Sequence, residues 1–97
     1  VVVVGDLMVD VVAVPDGPLA PGSDTASVVR SGGGGSAANV ACWLAAAGGR
    51  VELVAAVGDD PLGAGALDEL ARSGVRWAGA VLPRPTGACV VLVDQLG

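Results

Sequence analysis

Apolar residues in this chain come in short runs that alternate between strand-like and helix-like spacing. Val1–Val4 is an unbroken β-branched run ending at Gly5-Asp6, the pattern of a buried parallel strand. From Leu7 to Val14 the alternation sets Met8, Asp10 and Val12 on one face and Leu7, Val9 and Val11 on the other. Asp10 is thus a carboxylate inside an apolar strand, costly there unless it is paired, hydrogen-bonded or turned to a polar cleft. Asp6 is assigned to capping the turn after the first strand. Pro15-Asp16-Gly17-Pro18 and Pro21-Gly22-Ser23-Asp24 mark turns, and a short strand follows over Thr25 to Arg30. Gly32 to Gly35 reads as a glycine turn feeding a helix that runs from an N-cap at Ser36 to Ala47, with Gly48-Gly49 as its stop. That helix is apolar almost all round (Val40, Cys42, Trp43, Leu44), which predicts packing on several sides.

Val51 to Val57 is the next strand, closed by Gly58-Asp59-Asp60-Pro61. Asp60 as N-cap and Pro61 at the first helical position start a second helix. It carries Leu62, Ala66, Leu67, Leu70 and Ala71 on one stripe, with Asp68, Glu69 and Arg72 opposite, and ends at Gly74. Val75 to Val81 and, after the Pro83-Arg84-Pro85 turn, Thr86 to Asp94 read as strands. Strands alternating with helices of this length predict an α/β fold with a largely parallel sheet. The 25–30 and 86–94 strands have no helix of their own, so a separate small sheet is expected from among them.

Composition narrows the function. Ninety-seven residues, 53% hydrophobic with 16 glycines, are enough for one small globular domain. Lys, His, Phe, Tyr and Ile are all absent, which looks like codon bias rather than function. Ten acidic residues against five arginines give a net charge of −5, an imbalance that argues against nucleic acid and anionic membrane as partners. No stretch is long enough to span a bilayer, and two isolated cysteines in apolar runs fit free thiols, so a cytoplasmic protein is expected. The chain opens inside a strand without a Met and closes just after another, the look of the N-terminal part of a longer protein.

The glycine run admits three readings. It is a plain turn, or a dinucleotide-binding turn, or part of a polyol site. Gly32, Gly34 and Ala37 fit the Gly-x-Gly-x-x-Gly/Ala spacing, with Glu52 about where a ribose-binding acid belongs, although it falls near the start of its strand rather than the end. A phosphate loop of the Gly-Lys-Ser/Thr kind is excluded because the chain has no lysine. The polyol reading uses what the others leave idle. Asn39, treated as buried in the first helical turn, has two donors and an acceptor to satisfy, and a sugar hydroxyl is both donor and acceptor. Asp10 can accept from two adjacent hydroxyls in charge-assisted bonds.

Gly34-Gly35-Ser36-Ala37-Ala38-Asn39-Val40-Ala41, then six residues to Gly48 and nine to Gly58, matches in full the first signature of the PfkB carbohydrate kinase (ribokinase-like) family. The flanks resemble the same family: Gly5-Asp6 with Asp10, Val57-Gly58-Asp59-Asp60 with Leu62-Gly63, Leu70-Ala71-Arg72-Ser73-Gly74-Val75, and Thr86-Gly87-Ala88. The resemblance implies a three-layer αβα ribokinase-like fold, with a small β lid drawn from about residues 11–30 and 80–97. It further implies ATP- and Mg²⁺-dependent phosphoryl transfer to a hydroxyl of a sugar. Asp10 and Asn39 would bind substrate hydroxyls, while Gly34 and Gly35 bring backbone to the sugar. A homodimer through the lid, as in some relatives, is a further implication.

Two departures bear on activity. The family's catalytic Asp lies in a Gly-x-Gly-Asp motif of the C-terminal half, and no such motif occurs here. ATP and Mg²⁺ are therefore expected to bind mainly outside this chain, and the 97 residues alone are expected to be inactive. Ser36 stands where ribokinases carry Lys, which counts against a dedicated ribose kinase. A nucleoside kinase of the same family, a dinucleotide-binding module of an oxidoreductase and a catalytically dead remnant remain as alternatives.

Overall fold

A computed structural model describes all of residues 1–97. Its six strands and two helices run in the order β1 (Val2–Val4), β2 (Met8–Pro15), β3 (Ser27–Gly34), α1 (Ser36–Ala46), β4 (Glu52–Gly58), α2 (Pro61–Arg72), β5 (Arg76–Leu82) and β6 (Ala88–Leu92). They form two three-stranded sheets. The first, ordered β1-β4-β5, is parallel throughout, with Val2, Glu52 and Arg76 in one register row. The second has β2 at its centre, antiparallel to β3 and parallel to β6.

Leu53, Ala55 and Val57 alternate along β4 as the buried face of the first sheet. Ala37, Ala38 and Ala41 of α1 and Ala66 and Leu70 of α2 close over them in one core with Leu7, Val9, Val51 and Val75. Both helices therefore lie on the same side, and small alanines let α1 sit close to the sheet. The chain supplies a sheet and one helical layer. The opposite sheet face is bare, which corrects the expectation for the first strand: Val2 and Val4 are exposed rather than buried. Trp43, 77% exposed, and Val40 likewise overturn the expectation that α1 packs on several sides. Its apolar outer surface meets nothing in this chain. Only 16 of 97 residues are buried, and the radius of gyration is 15.6 Å. A compact domain of this length would have about 12.5 Å. The shape is extended because the second sheet packs into the core only at its near end, through Val9 and Val11, and projects from it beyond.

Trp77 fixes the edge strand β5. Its indole N–H donates to the Ala55 carbonyl at 2.9 Å, and a Cβ at Gly79 would overlap both groups. Glycine at 79 is thus a packing requirement inside a strand, the usual meaning of a strand glycine.

Candidate functional site

The glycine run is not a loop. Gly32, Gly33 and Gly34 belong to β3, paired with Asp10, Val9 and Met8 of β2, so the strand is longer than the 25–30 segment read from the sequence. Only Gly35 turns the chain, at φ 95°, where a Cβ would press on the Asp6 backbone. Ser36 is the first residue of α1 rather than its cap. The cap comes from elsewhere. The Asp6 carboxylate accepts from the Ala37 N–H at 3.0 Å and the Ser36 hydroxyl at 3.2 Å, and its carbonyl accepts from the Ala38 N–H. Asp6 therefore caps α1 across 31 residues instead of closing its own turn. The Ala37 N–H, first among its backbone and side-chain hydrogen bonds, holds the Asp6 carboxyl below the usual carboxylate range.

Asp60 performs the N-cap role expected of it, accepting from the Gly63 N–H at 2.8 Å. It also accepts from the Thr86 hydroxyl and, at 2.8 Å, from the Thr86 N–H. Thr86 in turn accepts from the Gly58 N–H at 2.9 Å. A Cβ at Gly58 or at Gly63 would overlap this cluster, so both glycines are required by the approach of three chain segments. The Thr86 hydroxyl, then the Thr86 and Gly63 N–H groups, lower the Asp60 pKa.

Both carboxyls have folded values below their unfolded ones, so each contributes stability that is complete above the unfolded value and lost as pH falls through the folded value. Thermal melts are expected to be flat near neutrality and to drop below about pH 4. Asp60→Asn should flatten that acid limb, and an unchanged limb in the variant would show that Asp60 carries none of it.

The four sequence-predicted site residues are placed as follows. Asp10 is half-buried on the face of β2 shared with Met8 and Val12, and its carboxylate lies against Gly34, where any Cβ would overlap it. Gly34 is buried and Gly35 makes the turn into α1. Asn39 sits in the first turn of α1, where its N–H bonds to the Gly35 carbonyl, but it is exposed rather than buried. It borders a small cleft with Leu7, Gly33 and Glu69, while Asp10 lines none of the clefts that Asn39 does. Asp10 and Gly34 are thus directly in contact, and Asn39 stands one helical turn beyond them. The chain's one ion pair joins Arg76 to Glu52 at 3.5 Å, which leaves Asp10 as a free, accessible carboxylate.

Glu69 escaped the sequence reading, which set it on the outer face of the second helix. Its carboxylate instead accepts from the Gly33 N–H at 2.8 Å and lies along Gly32 and Gly33. The spacing held a clue, since Glu69 is three residues from buried Ala66 and so flanks the apolar stripe.

The dinucleotide reading loses its elements here. Gly32 to Gly34 form a paired strand rather than a phosphate turn, and Glu52 is engaged by Arg76. Nor do these residues suit a nucleotide or its metal. Asp6 and Asp60 occupy both helix N-termini with negative charge, and no cluster of three or more His, Cys, Asp or Glu side chains is placed to hold an ion. No helix is long and apolar enough to cross a membrane.

A parallel α/β layer with a second three-stranded sheet rising from it is a ribokinase-like arrangement. The chain belongs to the pfkB family of carbohydrate kinases, whose profile, described as "pfkB family carbohydrate kinase", matches residues 1–97. Its fold is similar to that of a carbohydrate kinase from Agrobacterium tumefaciens, with a TM-score of 0.88 at 24% identity over 99% of this chain and 32% of that one. It is also similar to a ribokinase from Cryptococcus neoformans var. grubii serotype A in complex with ADP, at 31% identity, TM-score 0.78, over 99% of this chain and 30% of that one. A fructokinase from Xylella fastidiosa gives 27% identity and TM-score 0.77 over 100% of this chain and 30% of that one. The chain thus spans about a third of the length of these solved relatives. Among curated proteins none matches.

Proposed function

We propose that this chain supplies the sugar-binding part of an ATP-dependent carbohydrate kinase. The observation that carries the reading is the Asp10 carboxylate, free of protein partners and held against Gly34, where any Cβ would displace it. A free carboxylate on the central strand of the second sheet accepts two neighbouring hydroxyls, and the glycine backbone beside it leaves room for a sugar ring. Asn39 offers an exposed amide one turn along α1 for a further hydroxyl. Ser36 donates its hydroxyl proton to Asp6, so that donor is already used within the protein.

ATP and Mg²⁺ are expected to be held by residues outside these 97, and the catalytic Asp with them, so this segment alone is inactive. The second sheet acts as a lid. Excluding water there favours transfer to the sugar over hydrolysis. The distal part of that sheet, where Val29, Val90 and Leu92 are exposed, is where a second copy would dock. Free Cys42 and Cys89 suit a reducing cytoplasm.

The test is sugar-dependent ADP formation from ATP by the kinase that carries this chain, over a panel of neutral sugars, charged sugars and nucleosides. Turnover with at least one sugar is expected. Turnover with nucleosides alone would move the assignment to a nucleoside kinase, and ADP formation with none of them would overturn it.

A further inference from the structure

Arg30 stands on the same face of the second sheet as Asp10. Val12 pairs with Arg30 and Asp10 with Gly32, so the two charges are diagonal neighbours across β2 and β3. Diagonal neighbours lie about 7–8 Å apart, within reach of long side chains, yet Arg30 and Asp10 form no ion pair. Gly32 and Gly34 leave a side-chain-free strip beside Asp10. Beyond it, Arg30 lines an open hollow of about 350 Å³ with Val12, Val14 and Val28. On this face of β2, β3 and β6 these are the only two charged residues.

An unpaired guanidinium beside a hydroxyl-binding carboxylate has one recognition chemistry that the carboxylate lacks, namely a two-point fork for an oxyanion. We infer that the substrate is an anionic sugar, its hydroxyls taken by Asp10 and its carboxylate or phosphate group by Arg30 across the glycine strip. In a chain with net charge −5, such a substrate needs a local cation, and Arg30 is the one this face provides. The inference rests on reading Asp10 as the hydroxyl-binding group.

Steady-state phosphorylation by the intact kinase tests it, with D-ribose and D-fructose as neutral probes, D-gluconate as the carboxylate probe and D-fructose 6-phosphate as the phosphate probe. One anionic probe is expected to exceed both neutral ones by at least about tenfold in kcat/KM, and which one wins identifies the anionic group. Arg30→Leu should collapse that preference, raising KM for the favoured anion about tenfold more than for D-fructose. Arg30→Lys, which keeps the charge but loses the fork, should fall between. A neutral sugar preferred by the wild type overturns the inference, as does an anion preference that survives Arg30→Leu. In either case neutral turnover persists and the kinase reading stands. Absence of sugar-dependent ADP formation with every probe, neutral sugars included, overturns the kinase reading and this inference together.

Discussion

Asp10→Ala is expected to lower kcat/KM for the sugar by about two to four orders of magnitude while leaving the fold intact. Each hydroxyl bonded to a carboxylate is worth about 1.5–3 kcal/mol, so losing two costs roughly 3–6 kcal/mol, at about 1.4 kcal/mol per factor of ten. Stability should hardly move. The Asp10 carboxylate enters no ion pair and is half-exposed, and changes of that kind stay within about 0.5 kcal/mol. Asp10→Asn should retain part of the activity, because the amide keeps one acceptor in the same place against Gly34. Gly34→Ala approaches the same site from the other side. Its methyl would occupy the space of the carboxylate and turn Asp10 away from the sugar, so the kinetic loss should resemble that of Asp10→Ala. Melting curves alongside steady-state kinetics decide the matter. Unchanged kinetics on the substrate would remove Asp10 from the site.

Local patterns carried most of the fold. The period-2 alternation of β4, the Asp60-Pro61 helix start and the turn residues that bound each strand are all properties of neighbours in sequence, and the structure follows them. What failed was everything decided by a residue far away. Asp6 looks local, yet it caps a helix that begins 30 residues later, because Gly35 brings that helix start against it. Glu69 looks solvent-facing until β3 is laid beside α2 and offers the Gly33 N–H. The glycines misled for a related reason. Four in a row read as a turn, whereas three of them form a strand in which Gly34 is crowded by Asp10, while Glu69 lies in ordinary contact with Gly32 and Gly33. Asn39 was expected to be buried because its neighbours are apolar. The expectation fails because α1 is covered on one side only. The face that Asp10 occupies, by contrast, was legible from alternation alone, since no change of partner strand alters which face an even-numbered residue of β2 occupies.

Thr86→Val is the stability counterpart, because Thr86 carries the one buried polar side chain, at 5% exposure. Valine keeps the shape and removes the hydroxyl. That hydroxyl donates to the Asp60 carboxylate and accepts from the buried Gly58 N–H, so the change strands a donor at the end of β4 and weakens the N-cap of α2 together. Each buried group left unsatisfied costs about 1–3 kcal/mol, giving roughly 2–4 kcal/mol in all. At about 4–8 °C per kcal/mol for a domain of this size, the melting temperature should fall by at least about 8 °C. Thr86→Ser keeps the hydroxyl and should recover most of the loss, which separates hydrogen bonding from packing. Urea unfolding followed by the fluorescence of Trp77, whose indole is anchored to Ala55 on β4, reads the strand that Thr86 secures. If the valine and serine variants unfold at the same urea concentration, the hydroxyl does not hold the two sheets together. If only valine falls, the Gly58–Asp60–Thr86 cluster is the joint on which the placement of β6 beside Asp10 depends, since Thr86 lies two residues before Ala88 and the register sets Asp10 against Cys89.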